Sequence, residues 1–272
     1  MPTTVADVVN ATEVLWPTAD AEQWDAVGLI AGDLDAPVES ILLAVDAVLD
    51  TVDEALDVGA DLLLVHHPLL LRGVTSVASD RYKGAVLSKL IRGNCALLAA
   101  HTNADIVETG TSAVFAARLG LRDIHPIQPS SIPTRGIGRV GTLPTPTTLG
   151  TLARALGDIL PPTASGIRVA GDFDRPISTV AVCGGAGDAF LSDPAVLAAD
   201  VYITSDLRHH PASEARENAR VGRGPALIDV SHWASEWLWL DAAASELREA
   251  LPGVTVTVSE LRTDPWDFAI VQ

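Results

Sequence analysis

Short apolar runs alternate with segments of helical period along most of this chain. This alternation is typical of an α/β protein, in which helices cover a sheet and its central strands are apolar on both faces. Residues 62–65 are one such run, and they continue directly into two histidines. The sequence therefore predicts an α/β fold (α+β mixed sheets), with polar residues placed at the ends of strands.

The chain's composition and charge exclude several classes of protein. It has 272 residues, 48% of them hydrophobic, which is enough to bury a core without disulfides. Its 35 acidic residues outnumber 18 Lys and Arg, giving a net charge of −17 that repels nucleic-acid backbones and anionic membranes. We therefore expect neither a nucleic acid nor a membrane as a partner.

The cysteines and the N-terminus indicate the compartment. Cys95 and Cys183 lie in separate apolar runs, a pattern that favours neither a disulfide framework nor a cysteine-rich zinc site. The N-terminal segment lacks the basic and apolar regions of a signal peptide, and no uncharged apolar stretch reaches the roughly 18 residues that a membrane span needs. A soluble, cytoplasmic protein is predicted.

Histidines cluster where predicted strands end. Six of the seven histidines fall in four segments that each follow an apolar run. The segments contain His66 and His67, His101 and Asp105, residues 206–210, and residues 232–236. Because α/β proteins carry their functional groups at the carboxyl ends of strands, this concentration predicts a polar site there.

The spacing of these residues favours metal binding. His232 and Glu236 are four apart, so on a helix they share one face and can hold one ion. His66 and His67 would point to opposite sides of a continuing strand, so each is expected to bind its own ion. Asp105 and Glu236 can each bridge two cations. The pattern indicates a dinuclear centre of zinc, manganese, iron or nickel rather than calcium.

Several residues have simpler explanations. A His-His dipeptide considered by itself is usually part of a solvated turn. A His/Glu pair with a spacing of four residues usually faces solvent on a helix. Asp25 and Asp46 are expected to be helix N-caps, with buried carboxylates behind the ligands as the alternative. The glycine-rich residues 183–188 are expected to form a tight turn, with an anion-binding loop as the alternative.

Five motifs together carry a family resemblance. They are DLLLVHHPLLL (61–71), AAHTNADI (99–106), IDVSHWASE (228–236), WDAVGLIAGD (24–33) and VYITSDLRHH (201–210). With them the chain resembles the NIF-three-like dinuclear-metal-centre family, whose members are also named GTP cyclohydrolase 1 type 2 homologs. Ala26 stands where the family usually has Asn, which leaves the ligand positions unchanged.

The resemblance implies a fold, a metal centre and an assembly. It implies two interlinked α/β domains, and the prolines within residues 122–135 suggest a boundary there. We therefore assign residues 1–125 with 226–272 to a metal-binding domain and residues 126–225 to a second, inserted one. The implied ligands of two divalent cations per chain are His66, His67, Asp105, His232 and Glu236. The implied assembly is a toroidal homohexamer with the metal sites facing an internal cavity.

Two functions are compatible with this pattern. In the first, the protein is a metal-dependent hydrolase that acts on a nucleotide or related small molecule through a metal-activated water, with His101 or His210 transferring the proton. Asp206, His209 and His210 could line that pocket, with a surface loop at the start of a helix as the alternative. In the second, it is a non-catalytic metal-binding scaffold or regulatory interaction protein. Trp233, Trp237 and Trp239 are expected to serve in packing and at a subunit interface.

Overall fold

The computed structural model describes residues 2–270, which form two compact units. The first comprises the residues up to Ala104 together with Leu240–Thr263. The second comprises Asp105–Trp239 and the segment from Asp264 onward. These boundaries differ from the predicted ones, because residues 122–125 and 226–230 form strands of the second unit's sheet.

The helices and strands alternate through most of the chain. In chain order the helices are α1 (Val5–Leu15), α2 (Leu49–Asp57), α3 (Tyr82–Arg92), α4 (Thr102–Asp105), α5 (Thr111–Arg118), α6 (Leu149–Ile159), α7 (Pro194–Leu197), α8 (His209–Arg220), α9 (His232–Trp237) and α10 (Leu240–Ala250). The strands are β1 (Gly28–Ala31), β2 (Ser40–Asp46), β3 (Leu62–His67), β4 (Ala96–Ala99), β5 (Arg122–His125), β6 (Gln128–Pro129), β7 (Gly136–Ile137), β8 (Arg139–Thr148), β9 (Arg168–Ala170), β10 (Pro176–Ala186), β11 (Val201–Ser205), β12 (Ala226–Val230) and β13 (Thr255–Val258).

The first unit contains a five-stranded sheet in the order β1-β4-β3-β2-β13. Four of its strands are parallel, and β1 pairs antiparallel to β4 at the edge. The apolar part of β3 is fully buried, as expected for a central strand. Because β2, β3 and β4 run in one direction, Asp46, His67 and the residues after Ala99 arrive at the same edge.

The second unit contains a six-stranded mixed sheet in the order β5-β8-β10-β11-β12-β9. Its three parallel strands are β10, β11 and β12, while the remaining pairs are antiparallel. Strands β6 and β7 form a separate two-stranded sheet. The parallel strands bring Gly185, Asp206 and His232 to their carboxyl ends. The α/β class with mixed sheets is therefore confirmed.

Two local features depend on short-range geometry. Helices α9 and α10 are separate, because the Trp239 N–H bonds to the Glu236 carbonyl in a tighter turn that ends the α-helical pattern. Residues 122–135 contain β5 and β6 in spite of their three prolines. The prolines there limit strand length rather than abolish pairing.

The tryptophans of this region pack inside the chain. Trp233 and Trp239 are buried, and the rings of Trp233 and Trp237 lie 6.3 Å apart between centroids. Their expected packing role is therefore seen within one chain. Large exposed apolar side chains lie elsewhere, notably at Trp266 and Phe268.

The cysteines are free and buried. Burial raises the pKa of Cys95 to about 11 and that of Cys183 to about 12, so both thiols stay protonated at neutral pH. Among the described residues, no helix combines the length and the apolar composition that crossing a bilayer would require.

Candidate metal centre

Three histidines gather at the carboxyl edge of the first unit's sheet. His66 and His67 end β3, and His101 follows the neighbouring strand β4. One ring nitrogen of each lies within 4.8 Å of the others, and the ring centroids are 5.1 to 5.5 Å apart. We call these residues the three-histidine group.

Each histidine of this group is held through its Nδ1 atom. The contacts are His66 with the carbonyl oxygen of Ala100 at 2.8 Å, His67 with Asp46 Oδ1 at 2.7 Å, and His101 with Asp25 Oδ1 at 2.9 Å. Because each acceptor is a carbonyl or a carboxylate oxygen, Nδ1 carries the hydrogen and donates it. In the neutral ring, Nε2 then keeps the lone pair that a metal needs.

The two neighbouring histidines of β3 do not behave as predicted. Their ring nitrogens belong to one group, although a continuing strand would have placed His66 and His67 on opposite sides. Both residues lie within β3, so the alternation of side chains along the strand is not enough to separate their ring nitrogens. The two residues can therefore bind one ion or two neighbouring ions.

Asp25 and Asp46 hold histidines rather than capping their own helices, so the N-cap expectation was wrong. Asp25 also accepts the Thr102 N–H at 3.0 Å, and Asp46 accepts the Thr263 hydroxyl at 2.5 Å. Burial alone would raise the pKa of Asp25, but hydrogen bonds from His101 and Thr102 bring it well below its usual value. The Ala26 N–H also donates to Asp25, so the backbone at this position supports the carboxylate.

The second unit carries a histidine and a glutamate on one face of α9. His232 Nε2 lies 3.1 Å from Glu236 Oε1, and Glu236 is only 3% exposed. The helix is capped by Ser231, whose hydroxyl accepts the Ala234 N–H and donates to Asp264. The cap fixes the start of α9, and with it the direction of the His232 side chain. We call His232 and Glu236 the His–Glu pair.

A carboxylate also lies behind His232. Its Nδ1 donates to Asp206 Oδ2 at 2.7 Å, the same arrangement as in the three-histidine group. Burial alone would lower the pKa of His232, but the charges and hydrogen bonds of Glu236 and Asp206 hold it well above its usual value. The environment of this imidazole therefore stabilises a positive charge, whether that of a proton or of a cation.

Gly185 is packed directly against the His–Glu pair. It has a left-handed backbone conformation with φ of +72°, and a Cβ there would lie 2.3 Å from Glu236 Oε1 and 3.2 Å from His232 Nε2. Any other residue would be strained at this φ, and its Cβ would displace the pair, so the position requires glycine. The absence of a side chain lets the backbone of β10 approach the pair closely.

The glycine-rich segment is neither the turn nor the anion-binding loop considered from the sequence. Strand β10 continues through Ala186. The N–H groups of Gly184 and Gly185 donate to the hydroxyls of Ser112 and Ser235. These two N–H groups are therefore not available to an anion. The segment instead brings the backbone close to the His–Glu pair.

Asp105 lies in the second unit and accepts a hydrogen bond from the Thr111 hydroxyl. After burial, the charges of Asp105 and Glu236 are the next largest causes of the raised pKa of Cys183. Both carboxylates therefore act on the same buried thiol. The charge of Asp105 also acts on Arg139, a buried residue whose guanidinium donates to backbone carbonyls and which no sequence motif marked.

The residues of the third histidine segment, 206–210, lie in different surroundings. Asp206 contacts His232, whereas His209 and His210 are exposed on the first turn of α8 and stack at 5.2 Å between ring centroids. His210 lines a groove with Asp188 and Glu214. The assignment of proton transfer to His101 or His210 stays a prediction.

The donor atoms of both units suit a divalent cation. Imidazole Nε2 atoms with hydrogen-bonded Nδ1–H groups, together with a buried carboxylate, are the ligands that zinc, manganese, iron and nickel accept. The close approach of Gly185 to the His–Glu pair leaves the positions of His232 and Glu236 undisturbed by a side chain. The structure thus has histidine and glutamate groups that could hold a metal ion.

These features define a mixed α/β protein with histidine and carboxylate groups at the ends of its parallel strands. The chain belongs to the Duf34/NIF3 (NGG1p interacting factor 3) family, whose model matches residues 3–265. This confirms the family indicated by the five motifs.

Known relatives cover nearly the whole chain. A Streptomyces coelicolor protein is 45% identical over 96% of this chain and 93% of its own length. A Clostridium perfringens protein is 32% identical over 96% and 98%. Both are named GTP cyclohydrolase 1 type 2 homolog. A hypothetical protein of Staphylococcus aureus has the same fold, with a TM-score of 0.89, 26% identity, and coverage of 99% of this chain and all of that one.

Replacing Gly185 by alanine should weaken metal binding. The left-handed conformation costs an alanine about 1–2 kcal/mol, and its Cβ must also push Glu236 aside, so we expect roughly a tenfold or larger loss of Zn²⁺ affinity. Zn²⁺ titration against a competing chelator measures the loss. Gly157→Ala is the matched control, because Gly157 lies in α6 with open space around it. Unchanged affinity in a folded Gly185→Ala protein would contradict this account of the pair.

Proposed function

We propose that the protein binds two divalent cations per chain and is a metal-dependent hydrolase of a nucleotide or related small molecule. The proposed ligands are His66, His67, Asp105, His232 and Glu236. The observation that carries the proposal is a hydrogen-bonding arrangement shared by four imidazoles. Each donates from Nδ1 to a fixed acceptor. The names of the relatives suggest the nucleotide class of substrate.

The orientation of the histidines is difficult to explain without a ligand. A single buried histidine often donates to a carbonyl simply to satisfy its hydrogen-bonding capacity. Here three of the four are bonded to carboxylates, which fix the tautomer, orient the ring and increase the basicity of Nε2. The Asp25 side chain is fully buried, and burying a carboxylate is costly, a cost that a bound cation would offset.

The proposed chemistry divides between the cations and the chain. When bound, a pair of divalent cations supplies a water of lowered pKa and polarises the substrate. Asp46 and Asp206 orient their imidazoles, and Asp105 and Glu236 would hold the cations through their carboxylates. His101, held at Nδ1 by Asp25, has its Nε2 available to accept a proton from the attacking water.

We also propose that the chain forms a closed homo-oligomer in the cytoplasm, with six subunits as the family resemblance suggests. Trp266, Phe268 and Ile270 are 64%, 78% and 77% exposed, which is a large apolar surface for contact with another chain. The free thiols of Cys95 and Cys183 are compatible with a reducing compartment.

Association should persist or tighten as the salt concentration rises. The net charge of −17 makes subunits repel one another, and salt screens that repulsion while leaving apolar contacts intact. Light scattering at low and high ionic strength measures the assembly. The mass of a single chain under both conditions would contradict self-association.

The purified protein should hold close to two divalent cations per chain. Asp105→Asn with Glu236→Gln should lose both, since each carboxylate is proposed to bridge, whereas His67→Ala should chiefly weaken one. Elemental analysis of the dialysed proteins gives the count. The matched control is Asp158→Asn with Glu249→Gln, which changes the same residue types at exposed positions. Full metal content in the Asp105/Glu236 variant would overturn the ligand assignment.

Metal binding should release protons near neutral pH. A cation requires a deprotonated Nε2, and the acidic neighbours of His232 keep its pKa above the usual value of about 6.5 in the metal-free protein. Metal affinity should therefore fall as the pH drops through that raised pKa. Calorimetry in buffers of different ionisation enthalpy counts the protons, and Asp206→Asn should reduce the release by lowering the pKa of His232. An affinity that stays constant from about pH 8 to pH 5 would argue against histidine ligation.

Metal-loaded protein should hydrolyse a member of a panel of nucleotides, pterin precursors and phosphoesters. Glu236→Gln should reduce turnover by more than the roughly 10–100-fold that loss of an outer partner costs. Glu249→Gln, at an exposed position of α10, is the control and should retain activity. If the metal-loaded protein turned over none of these compounds, the scaffold or regulatory function would be favoured instead.

A further inference from the structure

The second unit has a groove that is separate from the proposed metal ligands. It has a volume of about 420 Å³, and it lies between helix α8 and strands β9 and β12. We call it the α8 groove and define it by the residues that the argument uses: Arg168, Leu207, His209, Arg216, Leu227 and Asp229. Its size falls in the range of small-molecule sites, about 300–1,000 Å³.

One face of α8 forms a wall of the groove. His209, Ala212, Ser213 and Arg216 line it, at spacings of three, four and seven residues from the first. These positions share one side of a helix. The small side chains of Ala212 and Ser213 lie between the two larger ones, so the middle of this wall is recessed and its ends carry the basic groups.

The floor of the groove holds an arginine in a fixed position. Arg168 and Asp229 are directly paired across β9 and β12, and Arg168 Nη2 donates to Asp229 Oδ2 at 2.8 Å. Asp229 is only 9% exposed and accepts the Leu207 N–H as well, whereas the Arg168 side chain is 66% exposed. The buried carboxylate therefore anchors one side of a guanidinium whose other donors are accessible.

The lining of the groove has more basic than acidic side chains, unlike the chain as a whole. In a protein of net charge −17, it contains two arginines and a histidine but one carboxylate, which is paired with Arg168. Glu217 Oε1 lies 3.8 Å from Arg216 Nη1, but both side chains are mostly exposed, so water screens this pair. Leu207, Leu227 and their neighbours supply apolar surface beside these cations. Arginine binds phosphate and carboxylate groups in paired hydrogen bonds, and an anchored arginine loses less freedom in doing so.

We propose that the α8 groove binds a small molecule that carries a phosphoryl or carboxylate group on an apolar or planar body. Arg216 and Arg168 bind the anionic group, and Leu207 and Leu227 contact the body. The site goes beyond the proposed function, because none of the five proposed metal ligands lines the groove. Its occupation therefore requires no metal.

Phenylphosphonate is a suitable probe, because it combines a phosphoryl anion with a planar apolar ring. The full-length protein is stripped of metal with a chelator and desalted, so that the probe cannot bind through a cation. Calorimetry should show saturable binding. Benzyl alcohol lacks the anion and inorganic phosphate lacks the body, so each should bind about tenfold more weakly or worse.

Variants locate the binding. Arg216→Gln and Arg168→Gln should each weaken phenylphosphonate binding about tenfold. Arg220→Gln is the matched control, since Arg220 lies on the same helix, pairs with Glu217 and does not line the groove. Arg216 is exposed on α8, so its replacement should leave the fold intact. The Arg216→Gln variant therefore still tests the proposal if loss of Arg168 disturbs β9.

Three results would overturn the proposal. The first is no saturable binding of phenylphosphonate up to about 10 mM. The second is unchanged affinity in the folded Arg216→Gln protein. The third is equal affinity for phenylphosphonate and benzyl alcohol, which would mean that the anion contributes nothing. Because the experiment uses metal-free protein, failure of the proposed hydrolase function would leave its result unaffected.

Discussion

The hydrogen bond from an imidazole Nδ1 to a fixed acceptor is the interaction on which the candidate centre depends. Without it, each histidine could rotate or change tautomer, and Nε2 would have no defined direction. His66 is fixed by a backbone carbonyl, whereas His67, His101 and His232 are fixed by carboxylates. The carboxylates also favour a positive charge on or beside the rings.

Parallel strands supply the acceptors for these hydrogen bonds. In the first unit, Asp46 ends β2 directly opposite His67 of β3, so the sheet register itself aligns donor and acceptor. In the second unit, Asp206 follows β11 and His232 follows the adjacent β12. Each unit therefore builds a histidine–carboxylate contact from two neighbouring strand ends. The same geometry places Gly185, near the end of β10, against the His–Glu pair.

Much of this arrangement could be predicted from the sequence, because strand ends are marked by apolar runs that stop at histidines. The fold class, the family and the grouping of histidines at strand ends follow from that local pattern. The roles of Asp25 and Asp46 could not be predicted, since they depend on which strand ends are neighbours and a lone Asp resembles a helix cap. Gly185 and Arg139 were missed for a related reason: their importance lies in close approach and burial, which only the folded chain determines.

Anomalous diffraction from crystals of the metal-loaded protein tests the central claim most directly. The account predicts two peaks per chain, with the Nε2 atoms of His66, His67 and His232 at bonding distances of roughly 2.0–2.1 Å if the metal is zinc. It also predicts that the Nδ1 atoms keep their present acceptors. Metal ions bound through Nδ1, or metal ions bound to none of these histidines, would contradict the claim that the fold orients Nε2 for metal binding.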